Sequence, residues 1–234
     1  EVEEYLNKNK YSYEKLTDNM ISEKIADLIA DQKVIGWFQG RMEFGPRALG
    51  NRTIIGDARS EKMQRTINKK IKYRESFRPF APSIIEENIS EYFEIDRPSP
   101  YMLLVAEVKK SKQIDINNEQ ENYLGLDKLN IIRSEVPAIT HIDFSARIQS
   151  VNKKTNPRYY NMLIMFNKKY KCPIVVNTSF NVRGEPIVCT PEDAYICFMR
   201  TEMDYLIINN YLLKKTNQKP LNNDIDWNSE FILD

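Results

Sequence analysis

The sequence predicts an α/β domain, with strands and helices mixed around a sheet, on three observations. Short apolar runs bounded by turn residues recur along the chain, as strands do. They alternate irregularly with stretches whose apolar residues keep helical spacing. The 234 residues, 41% hydrophobic and 29% charged, are enough for a sizeable core. That composition excludes collagen, a disordered chain and a disulfide-stapled mini-protein.

Taken in order, residues 1–17 are polar with scattered tyrosines and no clear period, and read as an arm or linker remnant. Ile21, Ile25, Leu28 and Ile29 predict a helix over 20–32. Val34–Phe38 is a short apolar strand, Thr53–Asp57 a second, and 61–72 a basic helix. Phe80–Ile85 and Met102–Val108 read as buried strands. The charged, Asn-rich stretch about 109–132 reads as a surface insertion, and 139–151 as a strand. Asn156-Pro157 places an N-cap and an N1 proline before a helix reaching about Lys171. Ile174–Asn177 is a strand feeding a loop over 178–186. Thr190-Pro191-Glu192-Asp193 is another helix start with acids in its first turn. Residues 205–213 read as one closing strand. The domain proper spans 18–214, and 215–234 is a polar tail whose Ile225, Trp227, Phe231, Ile232 and Leu233 are expected to dock back. No repeat at a solenoid period is present.

Two compositional asymmetries point to one place on the chain. Five of the seven glycines (Gly36, Gly40, Gly45, Gly50, Gly56) fall between residues 36 and 56. Such clustering implies close backbone approach or positive φ. Net charge is only +1, yet residues 41–78 carry eleven Lys/Arg against four Asp/Glu, while 86–127 carry ten acidic residues against four basic. A local field can focus on one cleft in this way, and two oppositely charged solvated faces would read the same. Cys172, Cys189 and Cys197 show no CxxC spacing, and with the single histidine, His141, they make a zinc site unexpected. Their usage fits a reducing cytoplasm. No apolar run is long enough to span a bilayer and no signal peptide is visible. The chain opens on Glu1 rather than Met, so it is expected to be a processed or excised piece of a larger protein.

The segment from Gly36 to Arg59 reads GWFQGRMEFGPRALGNRTIIGDAR. Gly40 and Gly45 give the GxxxxG opening of a phosphate loop, but Pro46-Arg47 stands where Lys-Ser/Thr is needed, and proline removes an N–H from the cradle. GxGxxG is absent. What remains is glycine alternating with Arg41, Arg47, Arg52 and Arg59, a pattern suited to phosphate or carboxylate oxygens. On composition alone, an anion site and a surface loop salt-bridged to the acidic segment fit equally. Two further stretches share the character. Lys72-Tyr73-Arg74-Glu75-Ser76-Phe77-Arg78-Pro79-Phe80 sets cations beside aromatic and proline residues, with Arg74 read as a solvated partner of Glu75. The stretch 177–186, NTSFNVRGEP, leaves the carboxyl end of a strand, a favoured ligand position, although an ordinary turn accounts for it taken singly.

The strings GWFQGRMEFGPRALGNR, KYRESFRPFAPS, PAITHIDFSARIQSV and PIVVNTSFNVRGEPIVCTPEDAYICF together resemble the carboxyl-terminal domain of the nodulation-protein and antibiotic-type O-carbamoyltransferases. The resemblance runs from about Val34 to Lys214, broken by the insertion. It implies a YrdC-like fold, a twisted mixed sheet flanked by helices. It further implies ATP-dependent activation of carbamoyl phosphate to carbamoyl-adenylate, with ATP as co-substrate and magnesium present. A separate amino-terminal, metal-binding domain of the actin/hexokinase class would pass the carbamoyl group to an acceptor hydroxyl, and nothing in this sequence replaces it. On the same resemblance Arg47 and Lys72 would contact phosphate or carbamoyl oxygens, and Arg78 and Arg147 would be further anion clamps. Asn177 and Ser179 would face the adenylate, with Asn181 and Arg183 close by and Arg41, Glu43 and Arg52 weaker candidates. No protein side chain stands out as a metal ligand; Glu43 could hold magnesium or pair with a neighbouring arginine. His141 is expected to make a structural hydrogen bond. A nucleic-acid module and a threonylcarbamoyl-adenylate-type synthase are the alternatives, and nucleic acid is disfavoured because basic and aromatic residues do not interleave along the Arg/Gly loop.

Overall fold

Helix starts follow the capping chemistry written in the sequence. A computed structural model of the chain describes residues 1–75, 77–117, 120 and 122–221. In it Thr17 accepts from the Met20 amide at the start of Asp18–Ala30, and Asn156 from the Tyr159 amide at the start of Pro157–Tyr170. Thr190 and Asp193 form a reciprocal capping box at the start of Pro191–Arg200. The helices are α1 (Val2–Lys8), α2 (Asp18–Ala30), α3 (Met63–Lys70), α4 (Ile89–Tyr92), α5 (Gly125–Leu129), α6 (Pro157–Tyr170) and α7 (Pro191–Arg200). The expected tail contacts of Ile225, Trp227, Phe231, Ile232 and Leu233 lie outside the described residues.

The strands are β1 (Glu14–Lys15), β2 (Ile35–Phe38), β3 (Arg52–Asp57), β4 (Ala81–Ile85), β5 (Leu104–Glu107), β6 (Ser145–Val151), β7 (Ile174–Ser179), β8 (Tyr205–Ile208) and β9 (Tyr211–Lys214). They form a sheet in the order β1-β9-β8-β2-β3-β7-β4-β6-β5. The pairs β2–β8 and β4–β6 are parallel and the others antiparallel, so the sheet is mixed as expected. Every residue of β2, β3 and β4 is buried, as befits mid-sheet strands, and β3 takes Arg52 and Asp57 at its ends inside with it. Helix α2 packs along α6, and α6 reaches β4 and β7, while α7 covers β2 and β8. Among the described residues no helix is long and apolar enough to cross a membrane. Cys172, Cys189 and Cys197 are free thiols.

Four sequence expectations are corrected. The first 17 residues do not trail away: Leu6 of α1 is fully buried, and β1 pairs with β9. Residues 205–213 are a hairpin rather than one strand, because Asn209 takes φ 49° and turns the chain inside an apolar run. The segment Met102–Val108 supplies only the edge strand β5, three of whose four residues are exposed. Residues 139–144 are not strand: a 3-10 turn over Pro137–Ile139 and a positive φ at Phe144 (62°) delay β6 to Ser145.

Three of the clustered glycines serve packing. A Cβ at Gly50 would stand 2.4 Å from Tyr159 and at Gly36 2.6 Å from Phe180, while Gly56 makes room for the Met63 thioether. Gly40, at φ +51°, has open space around it and is needed only for its backbone conformation. Gly50→Ala, which meets both a clash and φ +101°, should lower stability by about 2–4 kcal/mol. Gly40→Ala should cost about 1–2 kcal/mol. Urea denaturation of the two variants checks the ranking.

Candidate functional site

Between β2 and β3 the chain leaves the sheet for the loop 39–51, and two charges, the half-buried Glu43 and the buried Arg52, hold it. The Glu43 carboxylate accepts from the amides of Leu49 (2.6 Å), Asn51 (2.8 Å) and Arg52 (3.2 Å). The Arg52 guanidinium donates to the carbonyls of Gln39, Asn51, Gly40 and Cys189 at 2.9–3.2 Å and lies 3.5 Å over the Phe38 ring. Side chains rooted in the sheet then fasten the inner half of the loop. Asn177 donates to the Ala48 carbonyl and Gln149 to that of Leu49, both at 2.8 Å, and Gln39 donates to the Gly50 carbonyl at 2.7 Å. The irregular backbone is thereby satisfied.

So anchored, the loop brings Arg47 over the end of β7, where a pocket of about 160 Å³ opens. Strand register sets its floor, since Ala81 of β4 stands opposite Asn177 of β7. Arg47, Arg74 and Arg147 converge on it together with Asn177, Thr178 and Ser179, and no carboxylate lines it among the described residues. Burial, and then the nearby charge of Arg47, lower the pKa of Arg147. Burial and Arg78 lower that of Arg74 to about 10. Like charges held this close mark a site that favours an anion. Asn177 is 1% exposed, and because its amide nitrogen serves Ala48 and Gln149, its Oδ1 is a buried acceptor without a partner. An adjoining space of about 360 Å³ shares Pro79, Phe80, Ala81 and Arg147 with this pocket.

The structure divides the sequence-predicted residues. Arg47, Arg147, Asn177 and Ser179 meet at the pocket. Arg52 is instead a buried brace of the loop, and Arg41 stands exposed outside the pocket lining. Arg78 is half-exposed and pairs with Glu75 at 3.2 Å, while Arg183 lies 3.8 Å from the same carboxylate. Asn181 is engaged with Lys72, Ser179 and the Glu185 carbonyl. Lys72, 4% exposed, turns under the β7 turn and donates to Ser179 and to both oxygens of Asn181. Burial pushes its pKa down to about 7, but three carbonyl acceptors facing one nitrogen call for three N–H donors, and hence for the ammonium.

Arg74, read from sequence as solvated, is the residue that lines the pocket. Tyr73 at φ 46° swings the chain, the buried Asn68 of α3 accepts from Arg74 Nε at 2.7 Å, and the guanidinium lies 5.0 Å over Phe80. Asn68 was likewise missed; an asparagine at a buried helix position was the available signal. His141 pairs with Asp143 at 3.2 Å and is partly exposed, so its hydrogen bond is local rather than buried.

Three amides share Oε1 of Glu43, so that oxygen serves the loop backbone. Among the described residues no group of three or more His, Cys, Asp or Glu could hold a metal. Lys72→Met, which strands its buried acceptors, should lower stability by about 2–4 kcal/mol. Arg47→Ala should change it by no more than about 0.5 kcal/mol. Equilibrium denaturation separates the brace from the pocket residue.

Residues 26–215 match the family described as Carbamoyltransferase C-terminus. The chain is 59% identical to the Synechocystis protein sll1178, over 95% of this chain and 36% of that one. It is 43% identical to nodulation protein NolO of Bradyrhizobium diazoefficiens, over 83% of this chain and 32% of that one. It thus spans about a third of the length of these curated relatives. Among solved structures, full-length HypF in its phosphate- and nucleotide-bound form aligns with TM-score 0.50 at 16% identity, over 84% of this chain and 26% of that one. Sua5 of P. abyssi complexed with L-threonine aligns with TM-score 0.50 at 13% identity, over 86% and 49%. At such identities the likeness is one of fold, and it is the YrdC-like fold. With its sheet, its loop and its match over 26–215 in agreement, the chain belongs to the carbamoyltransferase carboxyl-terminal family, as a YrdC-like domain related to the nodulation-protein O-carbamoyltransferases.

Proposed function

We propose that the chain is the adenylate-forming part of an O-carbamoyltransferase, and that carbamoyl phosphate and ATP react at the pocket between Arg47, Arg74 and Arg147. One observation carries this reading: three guanidinium groups converge where no described carboxylate answers them, beside the unpartnered acceptor Asn177 Oδ1. A carbamate is an anion that also offers N–H donors, and so matches both features.

In this reading water displaces phosphate from carbamoyl phosphate, leaving carbamate. A carbamate oxygen then attacks the α-phosphorus of ATP, forming the mixed anhydride as the bond to pyrophosphate breaks. The nucleophile of that second step is already anionic, so it needs no strong general base, in keeping with a chain of one histidine. What it needs is positive charge held in place where negative charge gathers. Arg74, braced by Asn68 and Phe80, and Arg147, carried on a strand, are fixed for that task. Arg47, on the loop, completes the ring from above. A pocket of about 160 Å³ holds the phosphates and carbamoyl group, and the adjoining 360 Å³ receives the nucleoside. No step is assigned to a magnesium ion on protein ligands. Transfer to an acceptor hydroxyl is assigned to the remainder of the longer protein, where the amino-terminal actin/hexokinase-class domain is expected.

The test is ATP–pyrophosphate exchange. Labelled pyrophosphate should enter ATP only when carbamoyl phosphate is present, and bicarbonate with threonine should not replace it. Arg47→Ala and Arg147→Ala should each slow exchange by about 10²–10³-fold with little change in melting temperature. Exchange that ignores either substitution, or a folded sample that binds ATP and shows none, would sink the proposal.

A further inference from the structure

A second basic pocket, between α3 and the segment 129–142, encloses about 340 Å³; it shares no lining residue with the arginine pocket and meets the adjoining 360 Å³ space at His141. Arg65 and Lys69 line it from α3, and Lys62 from the N-cap just before that helix. Their spacing of three and four places them on one helical face. Among the described residues none of these three cations has a carboxylate within salt-bridge distance, whereas Lys70 on the neighbouring face pairs with Glu202 at 2.8 Å. The opposite wall supplies Arg133, which is 3% exposed. Two of its guanidinium nitrogens are spent on the carbonyls of Ile131 (2.8 Å) and Lys128, and its Nε is buried without a partner. No described carboxylate acts on it, and Glu61 is the one carboxylate among the described residues lining the pocket. A buried guanidinium without a counter-charge is costly, and three more cations turned toward the same space raise that cost unless an anion enters.

We infer that this pocket is a second anion site, built for a compact phosphate-bearing ligand of at least two negative charges and separate from the arginine pocket at β7. Lys62, Arg65 and Lys69 meet the phosphate, Arg133 adds positive charge from within the wall, and Phe77, Ile131 and Ile142 give an apolar surface on which an attached organic group can rest. The inference stands on this pocket's own geometry and holds whether or not carbamoyl-adenylate forms at the other. Inorganic phosphate, pyrophosphate and AMP share the required chemistry.

Each of the three is titrated by calorimetry into the chain, into Arg47→Ala/Arg147→Ala and into Arg65→Ala/Lys69→Ala. The first variant should retain one site for at least one of the three anions, and the second should weaken that site at least about tenfold. Combining the four substitutions should abolish binding. Because exposed helix residues tolerate alanine, the Arg65→Ala/Lys69→Ala protein is expected to fold, and an unchanged melting temperature verifies it. The anion that binds tightest identifies the source. Wild-type affinity in Arg65→Ala/Lys69→Ala, loss of all binding in Arg47→Ala/Arg147→Ala, or binding of an RNA oligonucleotide with none of the three small anions would each overturn the inference.

Discussion

The loop between β2 and β3 depends on a pairing of opposite charges with backbone rather than with each other. Glu43 gathers three amides and Arg52 four carbonyls, so a stretch with no regular structure leaves few polar groups unmet. Both side chains thereby hold the loop. The same arrangement pins the inner half of the loop to the sheet through Asn177, Gln149 and Gln39, and leaves Arg47 directed at the end of β7. Two kinds of arginine follow from this. Arg52 is buried and donates to four carbonyls, with only its Nε unpartnered, whereas Arg47 and Arg147 line a cleft that holds no described carboxylate.

Rigidity keeps those like charges together. Arg147 rides on β6 beside the fully buried β4, and Arg74 is clamped between Asn68 and Phe80. A solvated cluster would spread apart; this one is held by elements that the core fixes. The cost of doing so is the cost of preorganisation, recovered when an anion enters. Arg133 is likewise buried without a carboxylate: two of its nitrogens donate to backbone carbonyls, and its Nε has no partner.

Elements with strong local signals were legible in the sequence. Asn156-Pro157 and Thr190-Pro191 began helices because a capping side chain and an N1 proline act within one turn. Continuous apolar runs became mid-sheet strands. What failed was whatever depended on a distant partner. The first 17 residues show no period of their own, yet Leu6 finds the core and β1 finds β9. The stretch 205–213 hides its turn at Asn209 within uninterrupted hydrophobicity. An apolar segment such as 104–107 does not reveal that it will be the last strand of the sheet.

The site divides along the same line. By itself the sequence grouped Arg47, Lys72, Arg78 and Arg147 with Asn177, Ser179, Asn181 and Arg183, because long ordered strings carry a family resemblance that local physics need not explain. Only the tertiary structure decided that Arg74 enters the pocket while Lys72 props the β7 turn from beneath and Arg78 turns to Glu75. These three cations sit within seven residues and look interchangeable as a string. Their fates part because Tyr73 adopts φ 46°, turning Arg74 back to Asn68 of the preceding helix, and because Asn181, from a distant segment, captures Lys72. Which way a loop residue faces is set by partners brought near through folding, and neighbouring sequence carries no record of them.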